Sequence, residues 1–149
     1  MRELPRQLTA DELAGLFEGR TTLVERLAAV EDPLGHAREI AARLTPEEQY
    51  EVLDAHPRIG ARAGLSARSA AEQGTDEDPE VLTELARLNL VYEDRFGFRF
   101  VVFVNRRPRR EILPILRERL ERTHDEELAT GVDELVQIAI DRWLSLIHI

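Results

Sequence analysis

Four groups of residues have the types and spacing to do chemistry. His56 is followed directly by Pro57. Proline pushes the preceding residue out of the α region and offers no N–H to the helical ladder, so a helix arriving from Pro46 ends at His56. The negative end of that helix dipole favours imidazolium, and histidine titrates near neutrality, so His56 can act as a general acid or base. A plain C-capping side chain is the other reading and, on this fragment alone, the simpler one. Ser69, Glu72 and Gln73 stand three and four residues apart and share one face of a helix, a patch of hydroxyl, carboxylate and amide. A Ser69–Glu72 capping box explains two of the three and leaves Gln73 unexplained. Arg142 follows Glu134 and Ile138 at successive i, i+4 steps. An arginine on an apolar helical face is ordinarily snorkelling or salt-bridged, but its fork of donors also suits a carboxylate. The fourth group is the backbone of the segment from Phe98 to Val102.

These residues depend on helices whose starts are written in the chain. Thr9 with Glu12, Thr45 with Glu48 and Thr123 with Glu126 are capping boxes, and Asp78-Pro79 opens a further helix carrying Val81, Leu82, Leu85, Leu88 and Val91 at helical period. Gly19 can end the first helix, Thr21 or Thr22 restarts one, and the segment from Leu34 to Leu44 is helical again. Pro114 is tolerated if its helix begins near Arg110. Phe96 to Val104 differs. Its aromatic and β-branched density suits a buried strand, yet no second strand exists for it to pair with. We therefore expect an all-α, single-domain helical bundle over residues 1–149, with one extended segment near 98–104 wedged between helices. Backbone groups there would lack ladder partners, and a polar ligand, water or side chains could satisfy them.

Composition narrows the function. Of the 149 residues 33% are charged, and the net charge is −9, which argues against binding nucleic acid or an anionic membrane surface. Cysteine is absent, which removes disulfides, thiolate nucleophiles and cysteine-ligated metals. The four histidines have no ligand spacing, and phosphate-loop and nucleophile-elbow motifs are missing, so no metal is expected. The N-terminus has no apolar targeting region and no stretch suits a bilayer. A soluble cytoplasmic protein is the expectation.

Three motifs in register carry a resemblance. His56-Pro57-Arg58-Ile59-Gly60, then Ser69-x-x-Glu72-Gln73, then Leu88-Asn89-x-x-Tyr92-x-x-Arg95-Phe96-Gly97-Phe98-x-Phe100-Val101 resemble the OHCU decarboxylase family. Those enzymes act on 2-oxo-4-hydroxy-4-carboxy-5-ureidoimidazoline (OHCU) on the way from urate to (S)-allantoin. The resemblance extends to the Glu134–Ile138–Arg142 pattern. It implies an all-α fold, a homodimer and decarboxylation without a cofactor, since the substrate's own C=N can take the electron pair left by CO2. It implies His56 and Glu72 as catalytic residues. Substrate would be bound by Pro57, Ser69, Gln73 and Arg142 and by the main chain of Phe98, Phe100, Val101 and Val102. Arg99 replaces the proline of many members, and Arg58-Ile59 stands where Asp-Leu is common. Two alternatives stay open: a non-catalytic helical interaction module, and an enzyme acting on a related ureide or hydantoin.

Overall fold

The structure, a computed structural model, describes residues 7–59 and 78–146. Among them are seven α-helices and no strand: α1 (Ala10–Phe17), α2 (Thr22–Ala28), α3 (Pro33–Ala42), α4 (Pro46–Asp54), α5 (Pro79–Phe96), α6 (Arg109–Arg119) and α7 (His124–Leu146). The three capping boxes form. The N–H groups of Glu12, Glu48 and Glu126 donate to the hydroxyls of Thr9, Thr45 and Thr123, while each glutamate accepts from the threonine's own N–H. Asp78 caps α5 through the N–H of Glu80 at 2.9 Å. Caps of this kind contribute about 1 kcal/mol each.

Helix α7 is the axis of the bundle. It packs against α1, α3 and α4, while α2 lies against α1, α3 and α4, and α5 pairs with α6. The apolar faces meet in a core that includes Leu13, Phe17, Leu23, Leu27, Leu53, Leu85, Tyr92, Ile112, Leu116 and Val136. No described helix is long and apolar enough to cross a membrane.

Two helix ends differ from expectation. The left-handed residue closing α1 is Glu18, with φ 66°, one position before Gly19. A non-glycine residue there costs on the order of 1 kcal/mol, and Glu18 has a compensating use described below. Helix α6 begins at Arg109, so Pro114 lies inside it rather than in its first turn. It removes the amide that would bond the Arg110 carbonyl.

The segment 98–104 joins α5 to α6 without helix or strand, as its composition suggests. Phe98, Phe100, Val101, Val102 and Val104 are all buried. Gly97, at φ 83°, caps α5 in the left-handed region and lets the chain leave the helix directly into this segment. Phe98 stacks on Tyr50 of α4 with ring centroids 5.6 Å apart, and Phe100 meets Tyr92 of α5 at 5.2 Å.

Candidate active site

Helix α4 ends at Asp54, and its main chain turns through Ala55 to His56, whose N–H donates to the Leu53 carbonyl at 3.1 Å. The turn after it is fastened from outside. Asn89, buried on α5, donates from Nδ2 to the Ile59 carbonyl at 3.2 Å, and Arg58 forks onto Glu93 at 2.6 and 2.9 Å. Arg99 reaches over from the extended segment, donating from Nη1 to the carbonyls of Asp54 at 2.7 Å and His56 at 3.0 Å. Pro57 is half-buried between these ties.

The imidazole is buried, and its Nδ1 has no hydrogen-bond partner among the described residues. Burial, helped by the Arg142 and Arg99 guanidinium groups and opposed by the Glu18 carboxylate, lowers the His56 pKa to about 4. This reverses the expectation from the helix dipole. Desolvation penalises the cation more than the end of a short helix rewards it. At neutral pH His56 is an uncharged imidazole, ready to take a proton rather than give one.

Arg142 is buried on α7 beside this ring. Its Nη1 donates to the Leu16 carbonyl and its Nη2 pairs with Glu18, both at 3.0 Å. The arginine thus gathers two groups from the C-terminal end of α1, and the left-handed turn at Glu18 lets that carboxylate reach it. Arg142 is salt-bridged as arginines on apolar faces usually are, while its charge still acts on His56.

The extended segment presents two kinds of backbone. The Arg99 N–H donates to Asp54 Oδ1 at 3.0 Å, the Val101 carbonyl accepts from Arg119 Nη1 at 2.8 Å, and the Phe103 N–H donates to Glu134 Oε1 at 3.3 Å. Successive residues of an extended chain present these groups to opposite sides. The N–H and C=O groups of Phe98, Phe100 and Val102, on the other side, take part in no hydrogen bond among the described residues. The side chains of Phe98 and Phe100 are packed in the core, so any polar contact here is made by main chain.

Behind the segment lies a buried charge network that the sequence reading missed. Glu127 is fully buried and accepts from the Tyr92 hydroxyl at 2.6 Å, Arg119 Nε at 2.7 Å and Arg122 Nη1 at 2.9 Å. Burial and the bond to Glu127 push the Tyr92 phenol up from its ordinary pKa. The Arg119 guanidinium also lies 4.5 Å from the Phe100 ring centroid. Asn89 and Tyr92 were visible as parts of a motif. Nothing local in the sequence pairs Arg119 with Glu127, or Arg142 with Glu18.

The structure brings together His56, Pro57, Arg142 and the segment 98–102. Ser69, Glu72 and Gln73 lie outside the described residues. The described residues contain no cluster of three or more His, Asp or Glu side chains that could hold a metal.

Comparison with known proteins identifies the family. The OHCU decarboxylase family model matches residues 2–144. The chain is 29% identical over 140 residues to the uric acid degradation bifunctional protein of Bacillus sp. (strain TB-90), covering 87% of this chain and 28% of that protein. It is 33% identical over 97 residues to the 2-oxo-4-hydroxy-4-carboxy-5-ureidoimidazoline decarboxylase of Haloferax volcanii, covering 62% of this chain and 58% of that one. The match thus spans less than two thirds of either relative. A crystal structure of OHCU decarboxylase in the presence of (S)-allantoin shares the fold, with TM-score 0.75 at 24% identity over 93% of this chain and 99% of the other. The chain belongs to the OHCU decarboxylase family.

Proposed function

We propose that this protein decarboxylates OHCU to (S)-allantoin without a cofactor, in the degradation of urate. Membership of the family supports the reaction. The observation that carries the site is a buried, uncharged His56 with a partnerless Nδ1, next to Arg142 and tied to a segment whose alternate backbone groups are unpaired.

The substrate enters as a carboxylate. Its C–CO2 bond breaks, CO2 leaves, and the electron pair moves into the adjacent C=N to give an enediamine-like species. Neutral His56 takes the 4-hydroxyl proton as that carbon becomes a carbonyl. A proton then reaches one face of the neighbouring ring carbon, and with one proton from water the product is neutral allantoin. Arg142 favours the anionic substrate and the negative charge that develops on CO2 loss, and it keeps the imidazole uncharged beforehand. The free N–H and C=O groups of Phe98, Phe100 and Val102 complement the alternating N–H and C=O of a ureide, while the Val101 carbonyl is held by Arg119. Glu72 as a second catalytic group and Ser69 and Gln73 as binding groups belong to the same proposal, supported by the motif alone. So do the homodimer and the cytoplasmic location.

The test is the optical decay of OHCU made in place from urate by uricase and hydroxyisourate hydrolase, with circular dichroism of the allantoin formed. Wild-type protein accelerates the decay and gives one enantiomer, while allantoin and 5-hydroxyisourate themselves are left untouched. His56→Gln, still folded, loses about 10²- to 10⁴-fold in rate. Decay at the spontaneous rate with racemic product, from folded wild-type protein, would overturn the assignment.

A further inference from the structure

We infer that Arg99 is a positioning residue for His56, holding the imidazole in its working orientation by clamping the main chain on either side of it. The clamp is specific in geometry. One nitrogen, Nη1, bonds the Asp54 carbonyl at 2.7 Å and the His56 carbonyl at 3.0 Å, and the Arg99 backbone N–H bonds the Asp54 side chain at 3.0 Å. Both carbonyls lie at the C-terminal end of α4, where intrahelical donors have run out and outside donors must serve. Peptide groups are planar, so fixing the carbonyls of residues 54 and 56 constrains the dihedrals through Ala55 and His56 and with them the direction of the His56 Cβ.

The other ties to this turn act farther along. Asn89 holds Ile59 and Glu93 holds Arg58. Among the described residues, Arg99 alone donates a side-chain hydrogen bond to the main chain of His56 itself. The ring needs such help, because its buried Nδ1 finds no partner among the described residues to orient it. A proline at position 99, as in the pattern the chain resembles, could supply neither the guanidinium nor the N–H. In this chain the segment that offers backbone to the substrate and the turn that offers the imidazole are joined by one side chain.

The inference rests on His56 being the acid/base group of the proposed reaction, so its test has an arm that does not use activity. Arg99→Met keeps the backbone N–H to Asp54 and removes the guanidinium. Arg99→Gln returns a neutral donor. In the full chain each is assayed for OHCU decay, and His56 is followed by NMR of ¹³C-labelled histidine across pH, its line assigned by its loss in His56→Gln. A thermal melt checks folding. Arg99→Met lowers kcat by about tenfold or more with KM within about twofold, the mark of a misplaced reacting group rather than lost binding. Its His56 line broadens and titrates at higher pH, because the Arg99 charge that lowers it is gone and the charges left on the ring are Arg142 from α7 and Glu18 from the end of α1. Arg99→Gln recovers part of kcat and leaves the titration near that of Arg99→Met, which separates geometry from charge. Folded Arg99→Met with wild-type kcat and wild-type His56 spectra overturns the inference, and if that variant does not fold, the same wild-type values in Arg99→Gln do so. Wild-type protein that leaves OHCU at its spontaneous rate overturns the proposed reaction, while the NMR arm still decides whether Arg99 orients the ring.

Discussion

Among the described residues two arginines are buried, each paired with a glutamate, and they serve opposite ends. Arg119 and Glu127 are 2.7 Å apart, and Glu127 is fully enclosed, with the Tyr92 hydroxyl and Arg122 completing its shell. Arg142 and Glu18 are 3.0 Å apart, but Glu18 sits at a helix end with 12% of its side chain exposed, next to an imidazole whose Nδ1 has no partner. The first carboxylate has donors on both oxygens and lies behind the extended segment, where its arginine holds the Val101 carbonyl. The second pair has a partly exposed carboxylate and acts electrostatically on a titratable ring. A buried ion pair does not by itself mark a site. Nor does an unpartnered atom alone, since Arg119 Nη2 also finds no partner among the described residues; what distinguishes the second pair is the titratable ring beside it.

The same substitution at both glutamates is the sharpest test of that contrast. Glu127→Gln leaves two arginines around an uncharged, enclosed side chain and costs about 3 kcal/mol or more in urea unfolding, as removal of one partner of a buried pair does. Equal losses at the two positions would erase the distinction.

The imidazole makes a second difference, in acid. His56 has a pKa of about 4 in the folded chain against its ordinary 6.5, so the unfolded chain binds a proton first as pH falls. The stability this linkage contributes is complete above about pH 6.5 and is lost between there and about pH 4, on the order of 3 kcal/mol. Unfolding midpoints measured across that range should fall more steeply for wild type than for His56→Gln, which does not titrate. Parallel slopes would mean that the ring is already solvated. The smallest effect is Glu18→Gln, about 1 kcal/mol, because the amide still accepts a hydrogen bond and water reaches the site. Its stronger signature is a further drop of the His56 titration, since the Glu18 charge is what opposes the two arginines.

The helix starts were legible because a cap is local chemistry. Thr9, Thr45 and Thr123 each find their partner three residues on, within one turn, whatever the rest of the chain does. The extended segment was legible for a related reason: its composition forbade a helix and no partner strand was available. The Glu18 turn was not, because Gly19 is the better left-handed residue and only the tertiary bond to Arg142 explains the choice. His56 was found as a residue, but the direction in which its surroundings shift its pKa was not. Its position follows from Pro57, but its protonation follows from burial under α1 and α7, which no local spacing encodes. Arg142 was read in the sequence as a cation on an apolar helical face and Arg119 was not singled out at all, so only the packed structure sets the two pairs side by side.

The anchors of the extended segment come from three helices far apart along the chain: Asp54, Arg119 and Glu134 bond residues 45, 18 and 31 positions away. The segment cannot be seated until α4, α6 and α7 have all docked, since each loop closure precedes the bond that rewards it. Under the proposed activity, recovery of catalysis then reports complete assembly rather than helix formation. In refolding from urea the helical dichroism should return before the decarboxylation rate, and the lag between them measures how late the three docking events converge.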